Sequence, residues 1–153
     1  MMKKSQRIKT IVDIKAAQAQ DSLEALGESQ RKLIAIQAQV DNLKKYRHEY
    51  QERFNKLGSV GTNVEQMLEF RSFMDKLDKA ITGQEHSLEQ IKSDLIIKRK
   101  IWESMHHKAK GLQKIYHAAL TSEAKQEHKS EQMEQDERAS RLGRNNSGNT
   151  KNA

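Results

Sequence analysis

The stretch Met67-Leu68-Glu69-Phe70-Arg71-Ser72-Phe73-Met74-Asp75-Lys76-Leu77-Asp78-Lys79-Ala80-Ile81 decides the fold. Within it Met67, Phe70, Met74, Leu77 and Ile81 are separated by alternating steps of three and four residues. The alternation continues through Gln84, Leu88, Ile91, Leu95, Lys98, Trp102, Met105, Ala109, Leu112, Tyr116 and Ala119. Fourteen of these sixteen positions are apolar or aromatic, the exceptions being Gln84 and Lys98. A period of about 3.5 residues held for this long specifies a left-handed coiled-coil seam rather than the broader apolar face of a globular helix.

The first half of the chain carries a rougher seam: Val12, Ala16, Ala19, Leu23, Leu26, Leu33, Ile36, Val40, Leu43, Tyr50, Phe54 and Leu57. Its phase slips near Leu33–Ile36, and Gln30 and Arg47 occupy seam slots, so irregular supercoiling is expected there. Between the seams, Gly58-Ser59-Val60-Gly61-Thr62 punctuates the pattern with two glycines. Gly58 is placed to end a helix in the left-handed conformation, and Thr62 with Glu65 forms a capping-box pair that starts the next one. Short helix–helix connections join antiparallel neighbours. The expected fold is therefore all-α: a long two-helix antiparallel coiled-coil hairpin over 1–142, with helix one at about 5–57, a turn at 58–62 and helix two at about 63–140. A turn centred near residue 60 makes Tyr46 face Met74 and Ile8 face Leu112. Helix two then overhangs its partner beyond about Tyr116. The overhang is rich in helix formers but loses the seam, and a lone polar helix is marginal in water. Residues 143–153 read as a disordered tail by composition.

Composition agrees with a rod of helices. The 153 residues include no proline and no cysteine; 32% are charged and 5% aromatic. Without cysteine there is no disulfide framework, thiolate nucleophile or zinc cluster. Met1-Met2-Lys3-Lys4 does not open a secretion signal, because Lys9, Asp13 and Lys15 interrupt Ile8, Ile11, Val12 and Ile14. No run approaches the roughly 18 apolar residues that a membrane span requires. The expectation is a soluble, cytoplasmic protein.

Nothing in the sequence supports an enzyme. Gly58 and Gly61 lack the Lys-Ser/Thr and the preceding strand of a phosphate-cradling loop. His106 and His107 project about 100° apart on a helix and cannot chelate one ion together. His86, His117 and His128 have no acidic or histidine partner at a useful helical spacing. A two-helix hairpin also offers no water-excluding pocket for preorganised catalysis. No metal and no cofactor is implied.

Two other features point to binding. Tyr46, Tyr50, Phe54, Phe70 and Phe73, five of the six Tyr and Phe residues, fall within about 15 positions of the turn. Tyr50 and Phe70 lie in the seams, whereas Tyr46 and Phe73 flank them. This cluster either thickens the hairpin core or forms an exposed patch that binds a partner. Charge is also uneven on a chain of net charge +7. Residues 1–20 hold Lys3, Lys4, Arg7, Lys9 and Lys15 against Asp13. Residues 92–114 hold Lys92, Lys98, Arg99, Lys100, Lys108, Lys110 and Lys114 against Asp94 and Glu103. The expected register brings much of these stretches together at the open end of the hairpin, opposite in character to the aromatic end. Such a surface attracts an acidic partner. No stacking aromatics sit among the lysines, which weighs against specific nucleic-acid binding.

Three segments resemble the flagellar export protein FliJ family. Leu43-Lys44-Lys45-Tyr46-Arg47-His48-Glu49-Tyr50 is similar to the family's Leu…Tyr-x-x-Glu-Tyr stretch. Phe70-Arg71-Ser72-Phe73-Met74-Asp75-Lys76-Leu77-Asp78-Lys79-Ala80-Ile81 is similar to its aromatic-x-x-Phe-x-x-x-Leu-x-x-Ala-Ile stretch. Trp102, followed by Glu131-Gln132-Met133-Glu134-Gln135-Asp136-Glu137, resembles its third segment and acidic end. The order and spacing match over about residues 5–140.

The resemblance implies a cytoplasmic component of the flagellar type III export apparatus, peripheral at the inner face of the membrane through its partners. It implies a coiled coil like the gamma stalk of rotary ATPases, which binds and activates the hexameric export ATPase, links it to the membrane export gate and contacts export chaperones. By the same resemblance the gate-contacting patch comprises Gln39, Leu43, Tyr46, Tyr50, Phe73, Leu77 and Ala80. A histidine that the family can show four residues after that alanine is here Gln84. The ATPase-contacting end is the open, basic one, with Lys98, Arg99 and Trp102 as candidates. Two other readings share the rod: the stalk of a non-flagellar type III secretion system, and a general scaffold or nucleic-acid-binding coiled coil. The last of these predicts DNA affinity with a steep salt dependence.

Overall fold

The computed structural model describes residues 2–58, 60, 61 and 63–150, the side chains of 147–150 excepted. Two helices account for nearly all of them: α1, Lys4–Gly58, and α2, Val64–Thr150. The chain divides into two compact units, Gln18–Met105 and Met1–Ala17 with His106–Ala153. Each consists of a stretch of α1 packed antiparallel on a stretch of α2.

In the unit of residues 18–105, side chains meet across the two helices in reversed order. Tyr50 stacks on Phe70, Arg47 pairs with Asp78, Lys44 with Glu85, and Ser29 with Asp94 and Lys98. The buried apolar side chains of the described residues all lie here: Ala19, Leu26, Val40, Met74, Leu77, Ile81, Leu88 and Leu95. All five of the α2 residues in that set were seam positions in the sequence. Of the sixteen α2 positions read as a seam, only Met67 is exposed. Each seam side chain is covered by a single partner helix, so most remain half-buried. Full burial of a Val or Leu contributes roughly 1.5–3 kcal/mol.

The first seam differs from the sequence reading. In α1 the inward positions run Ser5, Ile8, Val12, Lys15, Ala19, Ser22, Leu26, Ser29, Leu33, Ile36, Val40, Leu43, Arg47, Tyr50 and Phe54. That is an unbroken alternation of three and four, with no slip near Leu33–Ile36. Ala16 and Leu23, expected inside, are exposed, as is Gln30. The slip was an artefact of following apolar residues. Small serines and long cations occupy seam slots because a hydroxyl takes little space and a Lys or Arg stem can lie along the seam while its charge reaches out.

The reversal is also shifted. Gly58 is helical, and the left-handed glycine is Gly61, at φ 97°. Val60 N–H donates to the Leu57 carbonyl and Gly61 N–H to that of Gly58, so the last carbonyls of α1 are satisfied by i→i+3 bonds before the chain turns. Asn63 caps α2: its side-chain oxygen accepts from Gln66 N–H at 2.8 Å. The expected cap Thr62 lies outside the described residues. With the reversal later than residue 60, facing pairs move along α2: Ser29 meets Asp94 and Lys98, where Ile91 was expected, and Lys44 reaches Glu85, about nine residues beyond the expected position. Leu57 and Met67, read as seam residues, stand exposed beside the turn.

In the other unit, Ser5 meets Glu123 and Lys3 meets Glu127. Pairing therefore continues well beyond Tyr116, where the overhang was expected to begin. α2 runs on through Thr150, past the end expected near residue 140 and into the segment read as disordered. The i,i+4 pairs Glu137–Arg141 and Ser140–Arg144 span that boundary and support the helix from its own side chains. Residues 151–153 lie outside the described ones. Among the described residues no helix is long and apolar enough to cross a membrane.

Candidate partner-binding surfaces

The aromatic cluster forms one continuous stack in the unit of residues 18–105. Phe54 and Phe70 lie parallel, with ring centroids 3.7 Å apart. Tyr50 stacks on Phe70 at 5.4 Å and packs against Phe73 at 4.5 Å. Tyr46 meets Phe73 edge-on at 6.2 Å and Tyr50 at 6.3 Å. Tyr50, Phe54, Phe70 and Phe73 are half-buried, whereas Tyr46 is 42% exposed. Tyr50, Phe54 and Phe70 thus thicken the seam, and Tyr46 presents its ring outward.

Beside Tyr46 opens a shallow groove of about 440 Å³, lined by Gln39, Asn42, Leu43, Tyr46 and Gln84. Three of these were candidates from the sequence. Phe73 borders them through its contact with Tyr46. Ala80 is exposed on α2, and Leu77 is buried in the seam. Asn42 escaped the sequence reading because a polar residue outside the seam carries no periodic signal. Two cross-helix ion pairs mark the same stretch: Arg47 with Asp78 at 2.5 Å and Lys44 with Glu85 at 3.2 Å. Hydrogen bonding to Asp78, then the attraction of its charge, holds the Arg47 guanidinium more firmly protonated than usual.

The candidates Lys98, Arg99 and Trp102 belong to this unit, not to the unit that contains the N-terminal residues. Lys98 points inward. Its ammonium donates to Ser29 Oγ at 2.7 Å and pairs with Asp94 at 3.0 Å, while the Ser29 hydroxyl donates to Asp94 at 3.2 Å. Ser29 is almost completely buried. The Lys98 hydrogen bond, aided by that of Ser29, holds the Asp94 carboxyl below its ordinary range. Lys98 is thus committed to a polar layer of the seam. Arg99 is exposed beside Leu95, Ile96, Lys100 and Glu103, which line a groove of about 270 Å³. Trp102 is half-buried.

In the other unit a carboxylate of α2 caps α1. Glu123 accepts from the Ser5 backbone N–H at 3.0 Å and from the Ser5 hydroxyl at 2.7 Å. That N–H is one of the unpaired donors in the first turn of α1, and a negative charge is favourable at this end of a helix. These bonds hold the Glu123 carboxyl below its ordinary range. Lys3 Nζ reaches Glu127 at 2.6 Å, and Lys3 N–H donates to Gln6, completing the cap. The hydrogen bond to Glu127 raises the Lys3 ammonium above its usual value.

Leu57, Val60, Val64, Met67 and Leu68 add an exposed apolar group around the turn. Leu57 and Met67 read as seam positions in the sequence, and only the fold shows that they stand exposed with the others. Among the described residues no three His, Asp or Glu side chains converge to hold a metal ion.

The family model described as Flagellar FliJ protein matches residues 3–148. The Flagellar FliJ protein of Escherichia coli (strain K12) is 25% identical over 132 residues, covering 86% of this chain and 90% of that protein. No solved structure matches. A family model that spans both helices and the turn between them places this chain in the flagellar FliJ family.

Proposed function

We propose that this protein is the coiled-coil stalk of the flagellar export apparatus, binding and activating the export ATPase ring, linking it to the export gate and contacting export chaperones. Family membership supports a component of that apparatus. The observation that carries the finer reading is the groove beside Tyr46. Gln39, Leu43 and Tyr46 line it and Phe73 borders it, so four of the seven gate-contacting residues implied by the resemblance adjoin one surface. Tyr50 packs against Tyr46 and Phe73 from the seam, Leu77 is buried in the seam, and Ala80 lies exposed on α2. Gln84 lines the groove where the family can show a histidine, so contact there is made by a neutral amide.

For the ATPase, Arg99 and Trp102 are the candidates on their stretch, since Lys98 is engaged with Ser29 and Asp94. Six ring subunits cannot make identical contacts with an asymmetric pair of helices, and broad charge attraction suits that mismatch better than exact pairing. The protein acts at the inner face of the membrane through these partners and performs no chemistry itself. The test is ATP hydrolysis and ring assembly by the flagellar export ATPase of the same genome, with and without this protein. Stimulation with assembly supports the stalk. An ATPase that is competent but neither binds nor responds sinks it.

A further inference from the structure

In the unit formed by Met1–Ala17 and His106–Ala153, one flank combines exposed isoleucines with cations. Counting outward from the seam, Lys4, Arg7, Ile11 and Ile14 of α1 share a side of their helix. The same side of α2 runs by threes and fours from Lys108 through Gly111, Ile115, Ala118 and Ser122 to Lys125. The two sides adjoin, because Lys4 and Ile8 line one groove of about 500 Å³ together with Ile115, Ala118 and Ser122. Ile11, Ile14 and Ile115 are 47%, 52% and 54% exposed. None of these positions is an Asp or Glu. The one carboxylate lining the groove, Glu123, is held by Ser5. Lys4, Arg7, Lys108 and Lys125 form no ion pair with the described residues. The opposite flank carries Asp13 and Glu127 among its positions.

We infer that this flank docks on an anionic lipid surface. Isoleucines exposed along two parallel helix axes can enter the headgroup boundary together. The flanking lysines and arginine, long enough to reach upward along the helix, meet the lipid phosphates. With no Asp or Glu at these positions, and Glu123 turned to Ser5, the flank sets little negative charge against such a surface, and each cation near it strengthens binding. Occupation of this flank by lipid and by a protein excludes each other. The inference does not depend on the stalk reading.

The test is co-sedimentation of the full chain with phosphatidylcholine vesicles, either pure or containing phosphatidylglycerol. Binding to the anionic vesicles alone is expected. Lys4→Gln with Arg7→Gln, or Ile11→Ser with Ile115→Ser, each weakens it by about 25-fold, at about fivefold per residue. Lys9→Gln with Lys110→Gln, which lowers net charge equally on the opposite flank, leaves it nearly unchanged. Circular dichroism at 222 nm confirms that each variant remains helical. Failure to bind anionic vesicles, or equal losses for the two flanks, overturns the inference. So does binding to soluble polyglutamate as tight as to the vesicles and insensitive to the isoleucine changes, which would assign the flank to an acidic protein.

Discussion

Tyr46 and Tyr50 sit four residues apart on α1, yet the structure gives them different work. Tyr50 is half-buried and touches the rings of Phe70 and Phe73 as well as Tyr46. Truncating a fully buried aromatic costs about 3–5 kcal/mol, and half-burial reduces this to about 2. Each lost ring contact adds about 0.5–1. Taking the lower value for the three contacts, with about 0.5 kcal/mol returned by the better helix propensity of Ala, Tyr50→Ala should therefore cost about 3 kcal/mol. Tyr46 is 42% exposed and has only the looser contacts at 6.2 and 6.3 Å. Tyr46→Ala should cost about 1 kcal/mol, of which the better helix propensity of Ala returns roughly half. With a urea slope of about 2 kcal/mol/M, the midpoint followed at 222 nm falls by about 1.5 M for Tyr50→Ala and by less than about 0.5 M for Tyr46→Ala. Equal shifts, or a larger one at Tyr46, would refute the division of the cluster into seam and surface. The division matters for function, because only a variant that keeps its stability reports cleanly on binding.

The remaining predictions concern other parts of the molecule. Gly83 lies in α2 with nothing near its missing Cβ, so Gly83→Ala should raise stability by about 0.5–1 kcal/mol; Gly61→Ala, at a left-handed turn, should lower it in the same urea titration. The Glu123 and Asp94 carboxyls are held below their ordinary values, so the stability they contribute is present above those values and lost as pH falls through the depressed ones. The melting temperature should drop on acidification below about pH 4.5, and Glu123→Gln should flatten that drop. Replacing Arg99 with Glu should weaken ATPase binding without moving the melting temperature. Lys98→Glu should lower the melting temperature, since it sets two carboxylates together beside Ser29.

The fold was legible because the second helix advertises its seam with an apolar or aromatic residue at fourteen of sixteen slots. The first helix was less legible. Ser22 and Ser29 fill seam positions, while Leu23, one position away, faces water, so apolar residues alone gave the wrong phase. The turn was found but misplaced by part of a turn of helix, because either glycine could have taken the positive φ. The aromatic surface was visible as a cluster around the turn. Its groove was not, since Asn42 lines it from outside the seam and Gln84 stood only as a polar exception within it. Lys98 was legible as a seam position, but its partner Ser29 on α1 was not, because only the register brings the two together.

The central claim is that the surface around Tyr46 docks the export gate. Titrating the purified cytoplasmic domain of the flagellar export-gate protein with the wild-type chain and with Tyr46→Ala tests it most directly. The account predicts binding by the wild type and at least a tenfold loss in the variant, whose melting temperature changes little. Equal affinity of the two proteins, or no binding by a folded wild type, would contradict it.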